Sequence, residues 1–250
     1  MKKKKVLNKK KLLLLILTVC FLVMFLLSCF KILNYLKDNK VNRQIQRATS
    51  KAITVIPADN LAERYKVDFE TLRKQNSDTV AYLKVNNTKI DYVVVQGNDN
   101  KYYLDHNFNK SNNVSGWIFA DYRNRFDGTD RNIIIYGHNT RDGAMFGTLR
   151  YVLDSSWYQN EENNKVMLIT TSGVHYYQVF STYMIDVEDY YINTEFNDDE
   201  EFETFIKRLK FRSNYAYKVN VYKNDKILTL STCSGDGKKR IVLHARLLSD

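Results

Sequence analysis

The sequence predicts a mainly β protein, a barrel or a sandwich, with one long inserted helix and a single transmembrane helix before it. Short runs rich in β-branched and aromatic residues alternate with Asn- and Gly-containing breaks from residue 80 to the C-terminus. Residues 198–212 are the exception, because their apolar positions recur with helical spacing. Strands and helices do not alternate regularly, which favours a barrel or sandwich over a parallel α/β sheet.

The predicted strands are bounded by turn-forming residues. Residues 132–136 read NIIIY, a continuous apolar run expected of a strand that is buried on both faces. Ser172-Gly173 separates two apolar runs, which indicates a hairpin. The full set comprises residues 80–85, 90–96, 117–120, 132–136, 166–171, 174–185, 217–221, 226–232 and 241–248.

Two helices are predicted within this body. The segment 198–212 has acids in its first turn and Lys and Arg near its end, which complements the helix dipole. Its apolar stripe consists of Phe202, Phe205, Ile206 and Leu209. A shorter helix is expected to be capped by Asp59 and to carry Leu61, Tyr65, Phe69 and Leu72 on one side.

An uncharged apolar run covers residues 12–30, LLLLILTVCFLVMFLLSCF. At about 1.5 Å per residue it is just long enough for a hydrocarbon core of roughly 30 Å. A cleaved signal peptide would have a shorter run and a small-residue exit, which is missing here. A lipoprotein signal ending at Cys29 is a near match, but Phe30 follows directly. An uncleaved signal anchor fits best.

The net charge of +10 lies almost entirely at the N-terminal end. Residues 1–11 carry +7 and residues 31–51 carry +5, whereas residues 52–250 hold 25 basic and 27 acidic residues. A general electrostatic grip on nucleic acid is therefore excluded. We expect a cytoplasmic tail (1–11), a membrane anchor (12–30), a stalk (31–57) and an extracytoplasmic domain (58–250), oriented by the lysines next to the span.

Three reactive side chains follow or begin predicted strands. Cys233 is the one cysteine outside the apolar run, His138 follows NIIIY, and Arg240 opens the last strand. Taken singly, each has an ordinary explanation as core filler, a turn residue or a solvated charge. Together they suit acyl transfer through a thioester, because imidazole and guanidinium groups favour a thiolate and an arginine can stabilise an oxyanion.

The order and spacing of the motifs resemble those of class B sortases over roughly residues 76–250. The similar segments include 76–83, 90–97, 100–104 and 116–124. They continue with YGHN at 136–139, DGAMF at 142–146, LTLSTC at 228–233 and RIV at 240–242. The helix at 198–212 is similar to the extra helix that class B members carry before the cysteine-bearing hairpin.

This resemblance implies an eight-stranded β-barrel and a membrane-anchored cysteine transpeptidase on the outer face of a Gram-positive cell. Such enzymes cleave a C-terminal sorting motif of secreted proteins and transfer the acyl group to a peptidoglycan precursor or cell-wall peptide amine. Carried over by motif, Cys233 is the nucleophile, His138 the general acid and base, and Arg240 the oxyanion contact. Ser231 and Thr232 are expected to contact substrate.

Other readings stay open at this stage. Lys239 or Arg246 could replace Arg240, although Arg246 lies roughly 20 Å further along the strand. We expect no cofactor and no metal, because His and Cys lack ligand-like spacing; His106, His175 and His244 are weaker candidates for the imidazole. A hydrolytic cysteine peptidase and a non-catalytic, membrane-tethered adhesion or scaffold domain are the alternatives.

Overall fold

Ten strands occur in the residues that the computed structural model describes, which are 9–56, 65–233 and 238–248. Two short strands form a separate antiparallel pair, β1 (Ile53–Val55) and β2 (Tyr65–Val67). The other eight are β3 (Thr79–Val85), β4 (Asp91–Val95), β5 (Phe119–Ala120), β6 (Asn132–His138), β7 (Lys165–Thr170), β8 (Gly173–Asp186), β9 (Ile227–Cys233) and β10 (Lys239–Leu247).

Strands β3 to β10 close into a barrel in the order β10-β8-β7-β3-β4-β5-β6-β9. Most neighbours are antiparallel, but β4 pairs with β5 and β6 pairs with β9 in parallel. A parallel pair needs a long crossover, and between β6 and β9 it contains two strands and two helices. The predicted eight-stranded barrel is confirmed among the described residues.

Four α-helices accompany the described strands: α1 (Lys9–Thr49), α2 (Phe69–Gln75), α3 (Ser155–Gln159) and α4 (Asp199–Arg212). Helix α4 begins as predicted, because the Asp198 side chain accepts a hydrogen bond from the Glu201 backbone N–H at 2.8 Å. Its apolar stripe is buried against the outside of the barrel, over β8, β9 and β10. The barrel interior holds a larger core, which includes Leu83, Val94, Leu168, Leu230 and Leu243.

Helix α1 is one unbroken helix from the apolar run into the region predicted to be a stalk. It is the one candidate membrane span among the described residues, with an 18-residue window of mean hydropathy 3.0 that is wholly exposed. Its C-terminal part instead contacts the body, and its buried residues there are Asn39, Asn42, Ile45 and Thr49. Their spacing of three or four residues places them on one side of the helix.

Two predictions of secondary structure are wrong. Tyr65 lies in β2, and the helix starts only at Phe69, where Asp68 accepts a hydrogen bond from the Thr71 backbone N–H. The predicted cap Asp59 and Leu61 lie outside the described residues. Residues 217–221 do not form a strand, although they alternate correctly. The Tyr217 hydroxyl instead bonds with Thr182 inside the protein, so tertiary packing overrides the pattern.

Candidate active site

The parallel pairing of β6 and β9 brings two of the predicted site residues side by side. Their register runs from Asn132 opposite Ile227 to His138 opposite Cys233, the last residue of each strand. Neighbouring strands lie about 4.8 Å apart. Positions 138 and 233 therefore meet at one end of the barrel, although 94 residues of chain separate them.

Arg240 lies on the other side of β9. Strand β10 pairs with β9 from Val242 opposite Ser231, and with β8 from Lys239 opposite Asp186. Extending the β9 register by two residues places Arg240 across from position 233. Arg240 is half-buried, and its guanidinium donates a hydrogen bond to the Lys239 carbonyl at 3.0 Å. His138, Cys233 and Arg240 thus occupy one row across three adjacent strands.

His138 is held from two sides. Its half-buried ring places Nε2 2.7 Å from the Leu104 carbonyl oxygen. Because a carbonyl only accepts, Nε2 carries a proton and donates it, which leaves Nδ1 as the nitrogen that can gain or lose one. The His138 carbonyl in turn accepts hydrogen bonds from the backbone N–H groups of Thr140 (3.1 Å) and Phe146 (3.0 Å).

Gly137 makes this packing possible. A Cβ atom at that position would come within 2.8 Å of Cγ of Phe146, closer than real Cβ contacts. Phe146 is fully buried and cannot move aside. The glycine that precedes His138 is therefore required by the close approach of an aromatic ring to the end of β6.

Ser231 and Thr232 are both enclosed in the structure. Ser231 is 2% exposed, and its hydroxyl is 3.0 Å from the Tyr191 hydroxyl beneath helix α4. Thr232 is fully buried and alternates with Leu228 and Leu230, which line the barrel interior. The side chain of Ser231 belongs to the outer face of β9, the same face as its register partner Tyr136.

Next to this row lies a buried carboxylate that the sequence reasoning missed. Asp121 accepts hydrogen bonds from the Tyr136 hydroxyl at 2.8 Å and from Nε and one terminal nitrogen of Arg123, each at 2.8 Å. Burial works to raise the pKa of Asp121, but these bonds outweigh burial and hold it below its ordinary value. The Asp-Tyr-Arg sequence at 121–123 was a resemblance motif, but it carries no spacing that predicts the contact with Tyr136.

The alternative cation Arg246 lies away from the row. It pairs with Gln178 and Ile227 towards the other end of β10. There it lines a surface cleft of about 670 Å³ together with Tyr158, Asn164, Lys165 and Tyr217. The structure thus separates Arg246 from positions 138 and 233 by most of the length of a strand.

The remaining histidines have other surroundings. His244 is fully buried between Thr229 and Tyr183. His106 contacts Asp105 and stacks on Tyr102, and His175 bonds with Ser172 in the β7–β8 hairpin. No group of three or more His, Cys, Asp or Glu residues with metal-binding geometry occurs in the described part of the chain.

Comparison with known proteins agrees with this geometry. Residues 83–248 match the Sortase domain family. The chain is 36% identical to sortase B of Listeria monocytogenes over the whole of both chains. It is 31% identical to sortase B of Staphylococcus aureus, over 93% of this chain and 96% of the relative.

The chain belongs to the sortase family, in class B. Solved sortase B structures share its fold at a similar level of identity. One from Bacillus anthracis has a TM-score of 0.76 and 32% identity, over 86% of this chain and 100% of that one. A Staphylococcus aureus sortase B–substrate complex has a TM-score of 0.70 and 32% identity, over 89% and 98%. Like other sortases, the enzyme is a cysteine transpeptidase.

Proposed function

We propose that this sortase is anchored in the membrane and joins secreted proteins to the cell wall. It cleaves a C-terminal sorting motif, keeps the N-terminal part as a thioester on Cys233, and transfers it to an amine of a peptidoglycan precursor or cell-wall peptide. The observation that carries this proposal is the row of positions 138, 233 and 240 across β6, β9 and β10.

The proposed acylation step begins with the Cys233 thiolate, which attacks the scissile carbonyl carbon. A C–S bond forms, and the carbonyl oxygen becomes an oxyanion that the Arg240 guanidinium stabilises. The C–N bond then breaks as protonated His138 gives its Nδ1 proton to the leaving amine. The products are a thioester on Cys233 and a free amine on the released C-terminal peptide.

Deacylation reverses these proton movements with a new amine. Neutral His138 takes a proton at Nδ1 from the incoming amine as its nitrogen attacks the thioester. The C–S bond breaks, a new amide forms, and the thiolate of Cys233 is restored. Assignment of Nδ1 rests on the Nε2 contact with Leu104, which occupies the other ring nitrogen in both protonation states.

The predicted substrate contacts at Ser231 and Thr232 are retained as proposals. Because both side chains are buried, substitution there is also expected to affect stability. A useful separation comes from Ser231→Ala, which deletes a hydroxyl and leaves no larger group behind. A raised KM with little change in melting temperature supports substrate contact, whereas a lower melting temperature with unchanged KM contradicts it.

We propose that helix α1 provides the anchor and that the lysines of residues 1–11 stay in the cytoplasm. The apolar part of α1 is exposed in the structure and has the length of a membrane span. The catalytic domain (58–250) then lies outside the cell, preceded by residues 31–57. Protease added to intact protoplasts should digest the domain; complete protection contradicts this orientation.

The transpeptidase proposal is tested with the full chain in detergent micelles. The protein is incubated with a library of sorting-motif peptides and several amines, and products are identified by mass spectrometry. We expect an amide adduct and a thioester on Cys233, both lost in Cys233→Ala. Cys20→Ala removes a thiol from the apolar run and serves as the matched control, with full activity expected.

Two results would argue against the proposal. Hydrolysis without any amine adduct, whatever the donor, indicates a peptidase. Retained activity in Cys233→Ala or His138→Ala, with an intact fold, excludes the assigned chemistry.

A further inference from the structure

Helix α1 is tied to the segment 113–117 by directional polar contacts. Nδ2 of Asn42 donates to Oδ1 of Asn113 at 3.0 Å and to the Gly116 carbonyl at 3.1 Å. Nδ2 of Asn113 returns a hydrogen bond to Oδ1 of Asn42 at 3.0 Å. One turn earlier, the Ser115 hydroxyl donates to Oδ1 of Asn39 at 2.6 Å.

These contacts are buried, so they fix one arrangement. Asn39, Asn42 and Ser115 are each 1% exposed, and Asn113 is 3% exposed. A buried amide that loses its partner keeps the full desolvation penalty, so the helix cannot slide by a residue without losing several bonds. An apolar contact would hold the helix against the body but would tolerate such a shift.

The same segment holds the peptide that the catalytic histidine contacts. The Trp117 backbone N–H donates to the Tyr103 carbonyl at 3.0 Å, and the Asn113 backbone N–H donates to the Asp105 carbonyl at 2.8 Å. These two bonds flank Leu104. Gly116 fits against it so closely that a Cβ atom there would come within 2.6 Å of the Leu104 carbonyl oxygen.

That carbonyl oxygen accepts the hydrogen bond from Nε2 of His138. A second contact reaches the other side of the histidine, because Arg43 of α1 forms an ion pair with Asp142 at 2.7 Å. Asp142 lies in the loop whose Thr140 and Phe146 N–H groups bond to the His138 carbonyl. Helix α1 therefore contacts the supports on both sides of the imidazole.

We propose that the juxtamembrane part of α1 is a positioning element for His138, with Asn42 and Asn39 as its positioning residues. They act through segment 113–117 on the Leu104 carbonyl, which fixes the ring orientation and keeps the proton on Nε2. This inference rests on the proposed role of His138 as the acid and base. It adds a helix that touches no substrate to the determinants of turnover.

The test uses the full chain in lipid nanodiscs with ¹⁵N-labelled histidine. In Asn42→Ala we expect kcat to fall roughly tenfold with KM nearly unchanged, because a small displacement of a proton-transfer group slows chemistry more than binding. The ¹⁵N spectrum of His138 should show a larger share of the tautomer protonated at Nδ1. A purely structural role of Asn42 would not shift that tautomer.

Asn163→Ala is the matched control. Asn163 is also a buried asparagine, bonded to Nδ2 of Asn87 at 2.8 Å and to the Trp157 carbonyl at 3.1 Å, but it has no route to Leu104. Its loss should lower the melting temperature to a similar extent and leave kcat and the His138 spectrum unchanged.

A milder variant keeps the proposal testable if Asn42→Ala does not fold. Ser115→Ala removes only the bond to Asn39, and we expect kcat to fall roughly threefold with the same spectral change. Wild-type kcat and an unchanged His138 spectrum in folded Asn42→Ala or Ser115→Ala overturn the inference. Full activity of His138→Ala would instead show that the proposed function itself is wrong.

Discussion

The buried His244 is expected to make the stability of the protein depend on pH. Its Nδ1 is 2.9 Å from the Thr229 hydroxyl, and its Nε2 is 2.8 Å from the Tyr183 hydroxyl. Thr229 donates its own proton to Oδ1 of Asn132 at 2.7 Å, so it accepts one from Nδ1 of the imidazole. Nε2 is then the unprotonated nitrogen and accepts from Tyr183.

This environment opposes a charge on the ring. Burial, and to a lesser extent the nearby Arg212 guanidinium, lowers the pKa of His244 to about 3. In the unfolded chain the pKa is about 6.5, so between these values the unfolded state takes up a proton that the folded state refuses. The stabilisation is therefore complete above about pH 6.5 and is lost progressively as the pH falls towards 3.

The magnitude follows from the width of that interval. One pKa unit corresponds to about 1.4 kcal/mol. Lowering the pH from 7 to 5 should remove about 2 kcal/mol of unfolding free energy through His244 alone. His244→Gln, which does not titrate, should lose that part of the pH dependence, in addition to a constant loss of about 1 to 2 kcal/mol from its altered hydrogen bonds.

Urea unfolding of the full chain in detergent at pH 7 and pH 5 measures this difference. Ser181→Ala is the matched control, because it deletes a buried hydroxyl bonded to the Leu209 carbonyl at 2.6 Å on the neighbouring strand and leaves the imidazole intact. The control should be less stable at both pH values with the wild-type slope. An equal slope in wild type and His244→Gln would refute the reasoning.

Two further predictions concern the supports of the active site. Gly137→Ala should lower kcat roughly tenfold and the unfolding free energy by about 1 to 3 kcal/mol, because the new methyl group meets the Phe146 ring; steady-state kinetics and urea unfolding measure both, and Gly97→Ala, where a Cβ has ordinary contacts of 3.5 Å or more, should change neither. Asp121→Asn should destabilise the protein by roughly 3 kcal/mol at pH 7, because the Arg123 guanidinium loses its carboxylate partner. Since the pKa of Asp121 is lowered in the folded state, its contribution is present above about pH 4 and falls in acid; urea unfolding should therefore show a smaller difference from wild type at pH 3 than at pH 7, and a constant difference contradicts the assignment.

Local signals in the sequence predicted the elements that carry the site. The apolar run NIIIY became strand β6, extended by two residues to His138. The acids that open α4 and its apolar stripe also predicted the helix to within one residue. These features depend on residues close together in the chain, where capping and periodicity act directly.

Long-range pairing was beyond the reach of those signals. Nothing in the residues of β6 states that its partner is β9, and the motif resemblance alone joined His138 to Cys233. The alternation at 217–221 predicted a strand, but no edge is open to it in the closed barrel. A pattern indicates which face of a segment is apolar, whereas the neighbours decide what covers that face.

The docked side of α1 was missed because it is polar. Asn39, Asn42, Gln46 and Thr49 recur with helical spacing, but a search for apolar stripes passes over asparagine and threonine. Gln46 donates to the Asp91 carbonyl at 2.9 Å, so even this residue contacts the barrel. Amide side chains at intervals of three and four residues next to an apolar run are the signal that would have revealed the contact.

The continuity of α1 gives the enzyme a fixed heading relative to the lipid. A straight helix transmits rotation as well as height: each added residue turns the body by about 100° and lifts it by about 1.5 Å. One residue inserted between the apolar run and Asp38 would swing the mouth of the active site towards another quarter of the bilayer surface. Seven residues would nearly restore the heading and raise the mouth by about 10 Å. The length of this helix therefore sets both the height at which a lipid-held substrate meets the thiol and the direction from which it approaches.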